Sequence, residues 1–310
     1  MQKITQAAAD PAQYRSPNLF YESARAGFRD FLDATFGEGD AVLLPSFIGW
    51  SPREGSGMFD PVTTSNAPYG FYELQPNLMV DLSRLEEALS QRAYRVLVVI
   101  HYWGRTEPQL KEIRALSDRF GTILVEDLAH SFYSVARGGR AGRFGALNLY
   151  SLHKMFPTRV GGMVQYRDTA LITTQRETMP ELARLILDYD WVSIGEARRR
   201  NFLQLTEMLI ALPEFGRLFD LIWPDLDTLD VPQSLPVRVL SGNRDDVYRA
   251  MNADGFGMTS IYQILIEELQ TAFPTMQTLS RSITNFPIHQ AADPDEFAPM
   301  IESFRRALIG

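Results

Sequence analysis

The chain contains no cysteine. Disulfide bridges, thiolate metal sites and cysteine nucleophiles are thereby excluded. Histidine is scarce, with His101, His130, His153 and His289 as the whole set. No HExxH-type pair occurs among them, so the sequence offers no zinc site. A basic surplus is missing too. The net charge is −8, which argues against non-specific nucleic-acid binding, because that needs a basic surface. A locally positive pocket for a small anion remains compatible with it. Long apolar runs are also absent: Val96 to Ile100 is among the longest, too short to span a bilayer. Met1 to Asn18 is polar and lacks the apolar centre of a secretory signal. The expectation is a soluble, cytoplasmic protein with no membrane or nucleic-acid partner.

What is present is ordinary globular composition. The chain has 310 residues, 45% hydrophobic and 22% charged, enough for one large domain or two moderate ones. Short apolar runs alternate with helical patterns from about Asn18 to Tyr166. Tyr21 to Phe36 has helical spacing (Ala24, Phe28, Phe31, Leu32), with Gly37 as its stop. Ala41 to Leu44 reads as a strand ended by Pro45. Leu82 to Leu89 reads as a short helix, Arg95 to Ile100 as a buried strand and Pro108 to Phe120 as an amphipathic helix stopped by Gly121. Thr122 to Glu126 is the next strand and Ala146 to Tyr150 another. Such alternation predicts an α/β fold with a mostly parallel sheet covered by helices. Its active site should lie beyond the carboxyl ends of the strands, at Pro45 to Trp50, His101 to Gly104 and Asp127 to His130.

Beyond Tyr166 the character changes. Leu171 to about Leu212 reads as largely helical, Leu235 to Leu240 as a strand, and Asp245 to Ala253 and Pro294 to Leu308 as helices. The expected division is a large domain over 18–168, a smaller C-terminal α/β domain over 169–310 and an N-terminal arm over 1–17.

Several residues at the strand ends could carry chemistry. Asp127 follows a buried strand, where a carboxylate can cap the next loop or hold a pyridinium nitrogen protonated. His130 could stack on a ring or bond its oxygen, and reads equally as a core histidine. Ser151-Leu-His-Lys154 follows a strand. A lysine at a pocket edge has its pKa lowered by burial and becomes nucleophilic, while Ser151 and His153 are suitable phosphate donors. A surface lysine in a polar loop fits the same four residues. Gly161-Gly162 allows close backbone approach or positive φ, or marks a plain turn. Ser23-Ala24-Arg25 starts a helix whose free N–H groups suit a phosphate, and Ser23 serves equally as an N-cap. Trp50 could cover a flat ligand or anchor the core. Their order along the chain is more informative than any one of them.

That order resembles the DegT/DnrJ/EryC1/StrS aminotransferase family, which is built on fold type I of the pyridoxal phosphate (PLP) enzymes. Val98-Val-Ile-His-Tyr-Trp-Gly104 is similar to the family's strand and HxxG turn. Ile123 to His130 resembles its "viEDaAq/h" segment, and Gly138 to Gly145 its "gkraGsfGd" loop. The Lys154 to Gly161-Gly162 spacing also matches. Ala197-Arg-Arg-Arg-Asn201 resembles the family's arginine-rich helix, and Asn285 to Gln290 its "LPiHp" strand. There are departures. Ser151 lies three residues before the lysine rather than five, Ala24-Arg25 replaces glycine-threonine, and the segment between Gly162 and Arg198 is short. Trp50 also falls one residue later than the family's stacking aromatic, which leaves Phe47 as the alternative.

The resemblance implies PLP as cofactor and a homodimer with shared active sites. It implies Lys154 as the Schiff-base lysine, Asp127 as the pyridinium partner and His130 against the ring or its 3-oxygen. Ser151 and the Ala24 and Arg25 amides would bind phosphate, with His153 beside them. Trp50 would stack on the ring, and Asn201 would reach the partner's phosphate site. The implied reaction moves an amino group from an amino acid such as glutamate to a keto sugar, nucleotide-linked in the family's usual case. The alternatives are a lyase or dehydratase of the same fold and a shortened, non-catalytic interaction module. A lysine rather than a histidine at position 154 favours transamination over dehydration.

Overall fold

The computed structural model describes residues 17–310 apart from Arg53. The expected N-terminal arm, Pro17 excepted, lies outside the described residues. Along the chain come β1 (Asn18–Tyr21), α1 (Ala24–Thr35), β2 (Val42–Pro45), α2 (Phe59–Thr64), β3 (Tyr69–Tyr72), α3 (Leu82–Gln91), β4 (Val96–Ile100), α4 (Leu110–Phe120) and β5 (Ile123–Asp127). There follow α5 (Phe132–Ala136), β6 (Leu147–Ser151), α6 (Leu152–Met155), β7 (Gly162–Tyr166), α7 (Leu182–Leu187), α8 (Trp191–Ile210), β8 (Phe219–Leu221) and β9 (Ser234–Val239). The chain ends with α9 (Arg244–Ala253), α10 (Glu267–Ala272), α11 (Pro274–Ser282), β10 (Ile283–Pro287) and α12 (Phe297–Ile309).

The strands of the first half form one seven-stranded sheet in the order β1-β7-β6-β5-β4-β2-β3. From β3 to β6 the neighbours are parallel, and β7 runs antiparallel to both β6 and β1. All five residues of β4 are buried, as expected for a parallel strand covered on both faces. Each such side chain contributes roughly 1.5–3 kcal/mol by leaving water. The chain adds β3 on one side of β2 and then crosses to place β4 on the other. That reversal opens a crevice at the carboxyl edge.

Helix ends follow local chemistry. Ser23 accepts from the Ala26 N–H and caps α1, while Gly121 closes α4 at φ 68. At φ 68 a glycine pays no Cβ penalty. A second sheet, β10-β9-β8, is antiparallel. It shares an apolar core with α8, α9 and α12 through Phe202, Val237, Met251 and Phe304. The main core also takes in Trp223, Leu265, Leu269 and Met276 from the second half of the chain.

Three expectations need correcting. Tyr21 is the last residue of an edge strand, and the helix starts at Ala24. The stretch from Leu171 to Leu212 is helical only over α7 and α8, because 172–181 forms bends and turns. Pro294 begins a 3₁₀ turn, and α12 starts at Phe297.

Candidate active site

Four parallel strands, β2, β4, β5 and β6, deliver their last residues to one edge of the sheet. Beyond β4, His101-Tyr-Trp-Gly104 turns back sharply. Gly104 has φ +91, and a Cβ there would lie 2.6 Å from the His130 carbonyl oxygen. Only glycine permits that approach. The turn therefore presses on the segment after β5, which carries Asp127 and His130.

Glu126 fixes the same edge from behind. Its buried carboxylate accepts from the N–H groups of Gly142 at 2.7 Å, Phe144 at 2.8 Å and Gly145. His101 Nε2 lies 2.9 Å from it. His101 Nδ1 accepts from the Glu107 N–H at 3.1 Å, so Nε2 is the protonated nitrogen that donates to Glu126. Burial alone would raise the Glu126 pKa. The His101 hydrogen bond, with the backbone donors, outweighs it and leaves the pKa lowered. The glycine-rich 138–145 loop is thus tied to the residue next to Asp127.

A cavity of about 280 Å³ opens at this edge. It gathers Ser23, Ala24, Arg25, Trp50, Asp127, Ser151, His153 and Lys154, eight of the residues singled out from the sequence. His130 is buried just behind, with Nε2 3.3 Å from Lys154 Nζ. Two candidates lie elsewhere. Phe47 is fully buried against Tyr102 and Trp103, whereas Trp50 lines the cavity and is 45% exposed. Asn201 is buried outside the cavity and donates to the His289 carbonyl at 3.0 Å.

The paired glycines act in two ways. Gly161, at φ +148, presents its carbonyl to the Leu152 N–H at 2.9 Å and to the His153 ring at 3.2 Å. A Cβ on Gly162 would lie 2.1 Å from both Ala24 N and Ser23 C. Glycine here lets β7 run against the start of α1, which places the unspent N–H groups of that helix beside Ser151 and Lys154.

Charge at the site follows from burial. Burial lowers the Lys154 pKa; Glu54 and Asp127 oppose this and Arg25 adds to it. Burial raises the Asp127 pKa, against the Ala129 N–H at 2.9 Å and the charge of Lys154. Burial also lowers His130, with Lys154 and His153 adding, so its ring is neutral. The site brings together an amine whose pKa burial lowers, a carboxylate that among the described residues forms no ion pair, and a helix start suited to an anion.

Sequence reasoning missed Glu54, Ser260, Tyr262 and Gln263, which also line the cavity. Glu54 lies in a loop closed by the Ser51–Gly55 bridge and braced by Asp60. That carboxylate accepts from Arg25 Nη1 at 3.2 Å, from Ser56 N at 3.1 Å and from Ser56 Oγ. The glycines of Glu54-Gly-Ser-Gly57 were the one local hint. Ser260 to Gln263 arrives from the second half of the chain. Trp50 N–H donates to Ile264 O at 2.8 Å, and Ile266 N–H to Ile48 O at 3.0 Å.

Residues 34–180 match the model of the DegT/DnrJ/EryC1/StrS aminotransferase family. An L-glutamine:2-deoxy-scyllo-inosose aminotransferase of Streptomyces paromomycinus is 31% identical over 135 residues, 43% of this chain and 30% of that protein. The aligned segments span less than half the length of the curated relatives. Among solved structures, a DegT DnrJ EryC1 StrS aminotransferase from Brucella abortus superposes with TM-score 0.76 at 18% identity, covering 98% of this chain and 91% of that one. NtdA of Bacillus subtilis, with bound cofactor PMP, gives 0.72 at 14% identity over 97% and 77%. At these identities the likeness establishes the fold. Among the described residues no helix is long and apolar enough to cross a membrane.

Proposed function

We propose, from the match of residues 34–180 to the DegT/DnrJ/EryC1/StrS aminotransferase family, that this chain is a PLP-dependent aminotransferase of keto sugars. One observation carries the reading. Lys154 and Asp127 line one cavity, and burial pushes their pKa values toward each other, the lysine down and the carboxyl up. Paired titratable groups shifted this way are the mark of acid–base chemistry.

The residues present fit the cofactor. The start of α1, Ser151 and His153 surround a space suited to a phosphate, kept narrow by Gly162. Among the described residues Asp127 accepts one N–H, from Ala129, and forms no ion pair; a protonated pyridine nitrogen would supply one. Trp50 offers an aromatic face at the mouth. When bound, PLP supplies the electron sink that stabilises charge at the substrate carbon.

The chain's own residues do the rest. Lys154 would hold the cofactor through its amine, and the same Nζ, once the amino donor has taken its place, would take and return the proton at the reacting carbon. Asp127 would keep the ring nitrogen protonated. His130, uncharged and 3.3 Å from Lys154 Nζ, orients that amine and bounds the ring. The amino donor in this reading is glutamate or a similar amino acid, and the acceptor is a keto sugar, nucleotide-linked or free. The inosose aminotransferases among the relatives support a cyclic polyhydroxylated acceptor. The exposed apolar side chains of Trp50, Val160 and Ile264 support a second copy of the chain as cover, hence a homodimer.

The test is the absorbance of protein purified with PLP, followed by borohydride reduction and peptide mapping. The label is expected on Lys154. Lys154→Ala protein that still takes a reducible label at full level refutes the assignment. A panel of free and nucleotide-linked keto sugars, with glutamate and glutamine as donors, then identifies the acceptor.

A further inference from the structure

Tyr262 has φ +64, a region that bulky side chains rarely occupy. Such outliers persist only where their surroundings hold them, and they gather at functional sites. Here the surroundings are specific. A Cβ on Gly49 would lie 3.0 Å from Tyr262 Cα, so the glycine makes room for the strained residue. Ser280 Oγ donates to the Tyr262 carbonyl. The buried Arg244 guanidinium donates to Ser260 Oγ and to Gln263 Oε1 at 3.2 Å, bracing the segment on both sides.

The ring is held as firmly as the backbone. Its centroid lies 5.4 Å from Phe47, 5.5 Å from Tyr102, 5.3 Å from Trp103 and 6.3 Å from His130. Trp103 is the other aromatic residue with a left-handed backbone, at φ 49, and the two rings meet edge to face. Two strained aromatics, one from each half of the chain, thus pack together behind the cavity.

The hydroxyl is the unspent part. Tyr72 and Tyr102 give theirs to the Val98 and Phe47 carbonyls at 2.8 and 2.7 Å. Among the described residues, none takes a hydrogen bond from Tyr262, which lines the cavity. Burial, then Asp127 and Glu54, push this phenol well above its ordinary pKa, so it remains an O–H donor. Asp127 and His130 already account for the ring side of the site. Glu54 and Trp50 mark the mouth.

We propose that Tyr262 positions the acceptor: its hydroxyl donates a hydrogen bond to a carbonyl or hydroxyl oxygen of the keto sugar and fixes the reacting carbon over Lys154. This rests on the aminotransferase reading above, and the experiment separates the two. Wild type, Tyr262→Phe and Tyr262→Gly are loaded with PLP. Phenylalanine keeps the packing, and glycine adopts φ +64 without strain.

Cofactor affinity, the absorption band and single-turnover reaction with the amino donor are expected within about twofold of wild type for Tyr262→Phe. KM for the acceptor found in the panel should rise about tenfold or more, with kcat changed less than threefold, a loss typical of one hydrogen bond. Tyr262→Gly should lose at least as much acceptor affinity. An unchanged acceptor KM in both variants overturns the proposal, as does a shifted cofactor band in Tyr262→Phe, which would place the hydroxyl on the cofactor. Wild-type protein that takes up no PLP, or transfers to no keto sugar, refutes the underlying reading instead.

Discussion

Replacing Gly162 by alanine tests how the cavity is built. The new Cβ would lie 2.1 Å from Ala24 N and Ser23 C, where ordinary contact begins near 3.4 Å. Both struck atoms are backbone, so no side chain can swing aside. Gly162 is also paired with Tyr21 on one side and Ser151 on the other, so β7 cannot shift freely. The start of α1 must then retreat by about 1.3 Å, the shortfall between those two distances. Overpacking of this kind costs about 1–3 kcal/mol. That corresponds to a fall in Tm of roughly 1.5–5 °C for a chain of this size.

The functional cost is separate. A displaced helix start loses about one charge-assisted hydrogen bond to the phosphate, worth about 1.5–3 kcal/mol, so the Kd for PLP should rise about 10- to 100-fold. The assay is thermal unfolding without cofactor and fluorescence titration with it. Gly37→Ala is the control, since a Cβ there meets only the Asp40 carboxylate at 3.8 Å. It should leave both quantities unchanged. If Gly162→Ala melts within 1 °C of wild type and binds PLP equally well, the cradle argument is wrong.

Other outcomes follow from the charges. The chain has three lysines, Lys3, Lys111 and Lys154. Because burial lowers the Lys154 pKa, brief treatment with pyridoxal and borohydride at pH 8 should label it ahead of Lys111, as read by mass spectrometry; equal labelling counts against the shift. Asp127 has a raised folded pKa, so its carboxylate weakens the cofactor-free fold at pH values above the ordinary aspartate range. Asp127→Asn should therefore unfold no earlier than wild type at pH 7 while losing about 100-fold or more in transamination rate. Glu126 has a lowered folded pKa. Its contribution is present above the ordinary glutamate value and lost as pH falls through the folded one. Glu126→Ala should cost about 3–5 kcal/mol at pH 7, and its deficit in urea midpoint should shrink on acidification.

The fold's parallel half was legible because its signal is local. Val96–Ile100 is apolar throughout and followed by an amphipathic helix, and its boundaries fall within a residue of expectation. Lys154, Asp127 and His130 were legible from position, as residues just beyond or ending strands. What escaped was set by partners distant in sequence. Nothing in Asn18–Tyr21 marks it as a strand apart from its pairing with β7, and the helical spacing that follows runs back into Tyr21. Tyr262 follows no strand or motif. Its place depends on Gly49, Ser280 and Arg244, none of them its neighbour along the chain. Trp50 and Phe47 were both candidates from sequence. In the structure Phe47 packs with Tyr102 and Trp103, whereas Trp50 lines the cavity.

The hydrogen bonds that join Ile48 and Trp50 to Ile264 and Ile266 also bear on when the cavity can exist during synthesis. The seven-stranded sheet draws all its strands from the first 166 residues and can assemble as they emerge from the ribosome. The wall carrying Tyr262 cannot close until residues 260–266 have emerged as well. A nascent protein would pass through a stage with Lys154 already seated at the sheet edge and one side of its pocket open to water. Cofactor capture that depends on the closed wall then becomes a late event. Chains truncated before about residue 258 should hold secondary structure yet retain PLP poorly.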